Sequence, residues 1–366
     1  MVPTTVISST SGTAAADWSS CLAGTGSCMF NLVYNSTANS QSPPFYDYLT
    51  DELYVGDDGG KLWKATGVFN GTPALAGGGW AAGILVNLAH KLTSPVLEFT
   101  SSHVIVGDDS GRLSYVRDTG STTGACGTGS VPCLGTPSIT AFTANTLVDP
   151  VIIDGSTGKI FAFGGGGTSL VNAKVVQTDT TFSSTVAAAV GQSSTVPIHS
   201  GAFSDGYFTG ADPSAGFLYV CGKNSSTDSP TLYRIGFSSL GVMNSTKDTS
   251  SLPLSADTAQ CSPLTEIKNT SQGGGTDWLF LGMPGTCFAF GGSTDGCVMS
   301  FNITSTFPTT ATATGATTGG TSGIVVDNVS TDGHASSLYY STLGVSTCTG
   351  GSTGGCAVQR TQSGLQ

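Results

Sequence analysis

Apolar residues gather along the chain in short runs of four to seven, rich in Val, Ile, Phe and Tyr, and each run stops at Gly, Asp or Ser. Runs of that length, built from β-branched and aromatic residues and closed by turn formers, predict strands joined by tight turns. Helical spacing is nearly absent, because 52 Gly and 15 Pro interrupt most windows. The best helical window, Trp80 to Leu92, is short and flanked by glycine. The chain therefore reads as all-β.

The strands recur in a fixed phrase: a small residue and Pro, an apolar pair, a turn, an apolar strand, a Gly-Asp turn and a further strand. Leu53-Tyr54-Val55-Gly56-Asp57-Asp58-Gly59-Gly60-Lys61-Leu62-Trp63 matches Val104-Ile105-Val106-Gly107-Asp108-Asp109-Ser110-Gly111-Arg112-Leu113-Ser114, about fifty residues on. Ser42-Pro43-Pro44-Phe45 precedes the first copy and Ser94-Pro95-Val96-Leu97 the second. Weaker copies begin at Asp149-Pro150, Ser200-Gly201, Ser262-Pro263 and Ser322-Gly323, so six units of roughly fifty to sixty-five residues fill the chain. A period near fifty with three or four strands per unit predicts a single β-propeller of about six blades, mostly of four antiparallel strands. Met29 to Tyr34 is an apolar strand ahead of the first full repeat and is expected to join the incomplete last blade and close the ring. Residues 1–20 then form an arm and 21–366 one domain. A β-sandwich array is the competing fold, and it has no need of such regular recurrence.

The stretch from Ser94 through Leu113 resembles the repeat of the quinoprotein-like propellers, closely in two blades and loosely in the others. That resemblance implies a scaffold and no activity. A quinone-dependent dehydrogenase of that superfamily would further imply a ring-stacking Trp, a calcium ion held by carboxylates and an amide, and often a vicinal disulfide. No two cysteines are adjacent, and Trp18, Trp63, Trp80 and Trp278 occupy unrelated places. No cofactor is expected.

Charge narrows the partners. Twelve Lys plus Arg against twenty-three Asp plus Glu give a formal charge of −11, which repels nucleic acid and anionic membranes. Charged residues are only 10% of the chain, leaving a surface of Ser, Thr, Asn and Gly. No apolar run is long enough to span a membrane as a helix. Met1 to Thr5 has neither a basic nor an apolar leader segment, so a secretory signal is expected to be missing from this chain.

The ten cysteines are the sharpest compositional signal. Ten cysteines allow many connectivities; the nearest-neighbour choice among them pairs Cys21 with Cys28, Cys126 with Cys133, Cys287 with Cys297 and Cys348 with Cys356, leaving Cys221 and Cys261 as a fifth pair. There is no CxxC, and none of the four His (His90, His103, His199, His334) lies near a Cys, so zinc is the weaker reading. Disulfides imply an oxidising compartment and an extracellular or cell-surface location. Seven Asn-x-Ser/Thr sequons, at Asn35, Asn70, Asn224, Asn244, Asn269, Asn302 and Asn328, permit attached glycans.

Candidate chemistry is thin. Asp57-Asp58 and Asp108-Asp109 are paired carboxylates in Gly-rich turns, but a hairpin needs Asp and Gly there without any metal. Gly350-Gly351-Ser352-Thr353-Gly354 matches the hydrolase nucleophile pattern, yet it has no strand entering it and no helix leaving it. His334 reads as a loop residue. The three glutamates, Glu52, Glu98 and Glu266, fall in or beside strands. Asp47, Asp149, Asp205 and Asp327 lie near the starts of inner strands, where they either line the channel or end the strand. Tyr34, Tyr46, Tyr54, Phe203, Tyr207, Tyr219, Tyr339 and Tyr340 offer sugar-stacking faces or, at strand spacing, packing between blades.

Two functions follow. The first is a non-catalytic extracellular propeller serving surface structure, adhesion or self-assembly, in one form a fibre subunit that adds its N-terminal arm to a neighbour. The second is a secreted polysaccharide-active enzyme using Asp residues at the channel.

Overall fold

A computed structural model of the chain describes residues 32–35, 37–119, 130–166, 173–192, 196–224, 226–256, 258–270, 275–288, 295–327, 337–349, 351 and 353–361. The described residues are nearly all β, in antiparallel sheets. They divide into two compact units, one of residues 1–108 with 113–138 and one of residues 109–112 with 139–366.

In the first unit, β1 (Phe45–Asp47), β2 (Glu52–Gly56), β3 (Lys61–Thr66) and β4 (Ala74–Leu75) form an up-and-down sheet, with β5 (Ile84–Leu85) paired to the start of β3. The pattern repeats in β6 (Val96–Glu98), β7 (His103–Gly107) and β8 (Arg112–Arg117), with β9 (Cys133–Leu134) on the end of β8. Tyr54 and Leu62 of the first sheet pack with Val104, Val106 and Val116 of the second in one apolar cluster. The segment Trp80 to Leu92 is not helical; a single 3-10 turn at Gly78–Trp80 leads into β5. Leu32 to Asn35 form no strand, and Met29 to Asn31 lie outside the described residues.

The second unit opens with the short strand β10 (Ile139–Thr140). Three four-stranded meanders follow: β11 (Ile152–Asp154), β12 (Lys159–Gly164), β13 (Lys174–Asp179) and β14 (Thr185–Ala189); β15 (Ala202–Phe203), β16 (Phe217–Lys223), β17 (Pro230–Gly236) and β18 (Leu252–Pro253); β19 (Thr265–Asn269), β20 (Thr276–Met283), β21 (Cys297–Asn302) and β22 (Ala313–Ala316). The last sheet has three described strands, β23 (Val325–Asp327), β24 (Ser337–Ser341) and β27 (Ala357–Thr361), and a separate hairpin pairs β25 (Ser346–Thr347) with β26 (Thr353–Gly354). Consecutive sheets share apolar clusters: Phe161 and Phe163 pack with Phe203 and Leu218, Tyr219 and Leu232 with Leu279 and Phe301, and Phe280 with Leu338 and Tyr340. The inner strands are buried on both faces, which is why they read as unbroken apolar runs such as Ile160 to Phe163.

Three devices explain the repeated phrase. In four sheets a hydroxyl three residues ahead of the first strand accepts an N–H at or beside the end of the second strand. Gly56 donates to Ser42 Oγ (3.1 Å), Gly107 to Thr93 Oγ1 (3.0 Å), Gly282 to Ser262 Oγ (2.9 Å) and Ser341 to Ser322 Oγ (3.0 Å). An acid ends the first strand and caps its turn. Asp47 accepts from Leu49 N and Thr50 Oγ1, Glu98 from Thr100 N and Ser101 N, and Asp154 from Ser156 N and Thr157 Oγ1. The turn glycine, finally, takes a left-handed conformation with its carbonyl pointed at the chain that follows. Gly60 (φ +89°) accepts from Val86 N and Asn87 N, and Gly111 (φ +82°) from Ala141 N and Phe142 N. A Cβ on either residue would lie 1.8 Å from Asn87 O or 2.3 Å from Phe142 O, so only glycine fits.

Three disulfides join Cys221 to Cys261, Cys287 to Cys297 and Cys348 to Cys356, as the nearest-neighbour choice pairs them. Cys133 is also disulfide-bonded. Cys21, Cys28 and Cys126 lie outside the described residues.

Candidate functional site

In the second unit, the segments that lead into the first strands of four successive sheets converge on one cavity of about 490 Å³. Asp149 precedes β11, His199 precedes β15, Gln260 and Ser262 precede β19, and Thr321 and Ser322 precede β23. The repeat itself thus builds the site, since the lead-in of each of these four sheets delivers at least one polar side chain to it.

His199 is the chemical centre of this cavity. Its Nδ1 lies 2.9 Å from Asp149 Oδ1 and its Nε2 lies 3.2 Å from Gln260 Oε1. Both ring nitrogens face acceptors, so the doubly protonated imidazolium satisfies the site best. Burial works against that cation, but the hydrogen bond and charge of Asp149 outweigh it and raise the His199 pKa. Burial likewise opposes the Asp149 carboxylate, and His199 together with the N–H of Ser200 (2.6 Å) holds its pKa low. The two side chains thus form a hydrogen-bonded pair in which each favours the charged form of the other. Lys223, 1% exposed, donates to Ala259 O (3.3 Å) and adds a second positive charge near His199.

Cys261 also lines this cavity, whereas the other acids singled out in the sequence are not brought to it. Asp47, Glu98 and Asp154 are turn caps, and Asp327 ends β23 at the corresponding place in its sheet. Asp205 lies at the start of the one-turn helix Gly206–Thr209, where it binds Lys268 Nζ (2.6 Å). Asp57 is 1% exposed and accepts from Gly59 N, Lys61 N and Trp63 Nε1, and Asn35 Nδ2 also donates to it. Asn87 donates to Asp108 in the same way (2.7 Å). The repeated Asp pairs are thus turn residues, and among the described residues no group of three or more His, Cys, Asp or Glu could hold a metal ion. His334, Asn328, Gly350 and Ser352 lie outside the described residues. Asn70, Asn244 and Asn302 are exposed, Asn224 is half-buried, and Asn269 is 2% exposed inside β19. Among the aromatics, Tyr54, Phe203, Tyr207, Tyr219 and Tyr340 pack inside, while Tyr339 is exposed.

Two features of the first unit carry no clear sequence signal. Lys64 Nζ is bound by Glu52 Oε1 (2.8 Å) and Asp118 Oδ2 (2.9 Å), and Asp118 also accepts from Tyr54 OH (2.7 Å) and Trp80 Nε1 (2.7 Å), so that burial and these carboxylates push the Tyr54 phenol far up. On the opposite face of the first sheet, Leu53, Val55, Trp63, Ala65 and Leu75 line an apolar groove of about 480 Å³. Leu32 and Tyr34 lie on it, Tyr34 with its ring 6.1 Å from Trp63.

No family model and no curated protein matches the chain. Among solved structures, the chain is similar to the crystal structure of Saccharomyces cerevisiae Sqt1, at 12% identity and a TM-score of 0.41 over 84% of each chain. Similarity at that level assigns no role.

Proposed function

We propose that the six repeated sheets are the blades of one β-propeller, and that the protein is a non-catalytic extracellular scaffold serving surface structure, adhesion or self-assembly. One observation carries the non-catalytic reading: of the acids near inner-strand starts, Asp47 caps its own turn, Asp205 binds Lys268, and Asp149, the one carboxylate lining the cavity among the described residues, is hydrogen-bonded to His199. Shared apolar clusters between consecutive sheets in each unit support the blade reading. In this reading the ring closes through the segment ending at Tyr34, whose described residues Leu32 and Tyr34 lie on the apolar face of the first sheet. The disulfides fit an oxidising compartment, which supports an extracellular or cell-surface location.

In the assembly form of this reading, residues 1–20 add as a strand to a neighbouring copy. Light scattering and electron microscopy of the full chain beside a variant lacking residues 1–20 test it. The expected result is concentration-dependent assembly of the full chain and a stable monomer for the shortened one; identical monomers in both would end the assembly reading.

The cavity around His199 favours a second reading, capture of a small polar ligand such as a glycan unit. Polysaccharide cleavage would require a second carboxylate facing Asp149, and the cavity lining supplies none among the described residues. Titration with soluble oligosaccharides, read by the His199 ring resonances, tests capture; unmoved resonances at saturating sugar would refute it.

A further inference from the structure

In the hairpin of β19 and β20, Lys268 stands opposite Asp277 and Glu266 opposite Leu279. Glu266 and Asp277 are therefore diagonal neighbours, close enough for their side chains to interact. Each carboxyl group acts on the ionisation of the other. Asp277 is 6% exposed, and Glu266 Oε1 and Asp277 Oδ1 are both buried without a hydrogen-bond partner. Two ionised carboxylates cannot satisfy each other, because neither has a proton to donate. A single proton between them satisfies both orphaned oxygens at once and removes one buried charge.

Asp277 also reaches the neighbouring sheet. Its Oδ2 accepts the N–H of Asp205 (3.0 Å), at the start of the short helix that follows β15. Asp205 in turn holds Lys268 (2.6 Å) and Thr209 Oγ1 (2.7 Å). The charged groups facing the pair are thus Asp205 and Lys268, with the Tyr219 phenol and its partner Arg234 beyond. Lys268 is already engaged by Asp205, so it compensates only one negative charge well. Loss of the shared proton would set three carboxylates around one ammonium group.

We propose that Glu266 and Asp277 share one proton and form a pH-sensitive latch between the β15–β18 sheet and the β19–β22 sheet, closed in acid and loosened by alkali. Desolvation, with the neighbouring Asp277, lifts Glu266 from 4.5 to about 9, and desolvation raises Asp277 as well. The sign of the linkage follows. Between the unfolded value and about 9 the folded chain holds a proton that the unfolded chain has released, so the contribution of this group to stability falls as pH rises through that window.

The test combines infrared spectroscopy, hydrogen exchange and thermal unfolding across pH 5 to about 10, a range chosen to span the raised value. The wild-type chain is expected to show a protonated-carboxyl band at neutral pH, absent from Glu266→Gln. It is also expected to lose Tm on the alkaline side, with faster exchange of the Asp205 amide. Glu266→Gln, which keeps a donor to Asp277 without an ionisable proton, should flatten that decline. An absent band in the wild type, or the same alkaline slope in both proteins, overturns the latch. If Glu266→Gln does not fold, the wild-type band and the Asp205 exchange profile decide the question by themselves.

Discussion

The indole N–H of Trp80 donates to Asp118 Oδ1 at 2.7 Å, across 38 residues of sequence. The other oxygen of Asp118 binds Lys64 and Tyr54, so one carboxylate gathers a cation and two aromatic donors from the first sheet and the loop that leaves it. Removing Asp118 would strand a Lys64 that is only 7% exposed, with the partly exposed Glu52 as its remaining partner.

Asp118→Ala is therefore expected to destabilise the first unit by about 3–5 kcal/mol, the usual cost of leaving one member of a buried ion pair behind. Trp80→Phe, which keeps the ring and deletes one donor, should cost about 1–2 kcal/mol. Denaturant unfolding followed by tryptophan fluorescence measures both, and equal losses for the two variants would contradict the ranking.

The Asp149–His199 pair should be most stabilising in mildly acid solution. His199 has a raised pKa, so its contribution is complete below 6.5 and disappears as pH climbs through the folded value. Asp149 has a lowered pKa, so its contribution is present above 3.8 and disappears as pH falls through the depressed value. His199→Gln should lose about 2 kcal/mol near pH 5.5 and less at pH 8, on the scale of one charge-assisted hydrogen bond. A His199 ring that titrates below 6.5 by NMR would rule this out.

Much of the scaffold was legible and most of the polar networks were not, for a physical reason. The repeat from Ser42 to Trp63 encodes local geometry, and its copy from Thr93 to Ser114 shows which positions matter: a hydroxyl, an acid and a glycine. Those residues act within one sheet, its turns and the chain that directly follows it. Lys64 with Asp118, and Asp149 with His199, are 54 and 50 residues apart and belong to different repeats, so nothing local marks them. Glu266 and Asp277 lie in one hairpin, but only the burial of that hairpin makes them share a proton. Asp47 was open to two readings, channel residue or strand end, until its oxygens were found on Leu49 and Thr50.

The disulfides should differ in worth with the length of chain they close. Cys221–Cys261 spans 40 residues and Cys348–Cys356 spans 8. Chain entropy assigns roughly 4 kcal/mol to the first and roughly 2.5 to the second. Paired Cys→Ser variants compared by thermal unfolding should therefore lose more at 221 and 261 than at 348 and 356; the reverse order would place the stabilisation elsewhere.

Glycan occupancy should follow exposure. Expressed in a host that modifies sequons, the folded protein is expected to carry glycans at Asn70, Asn244 or Asn302 and none at Asn269, whose side chain is enclosed in β19. Asn35 Nδ2 is engaged by Asp57, so a sugar there would displace that contact. Glycopeptide mass spectrometry reads each site separately, and a glycan on Asn269 in folded material would refute the burial argument.

The carbonyls of Gly60 and Gly111 bear on how this chain can be cut and recombined. Each is held by residues that come after the sheet whose turn it belongs to, Val86 and Asn87 for the one and Ala141 and Phe142 for the other. A fragment ending with its last strand would leave that glycine carbonyl without its donors. The transferable module is therefore offset from the visible sheet, running past it into the lead-in of the next, and swaps or deletions made at that offset boundary should keep every turn sealed.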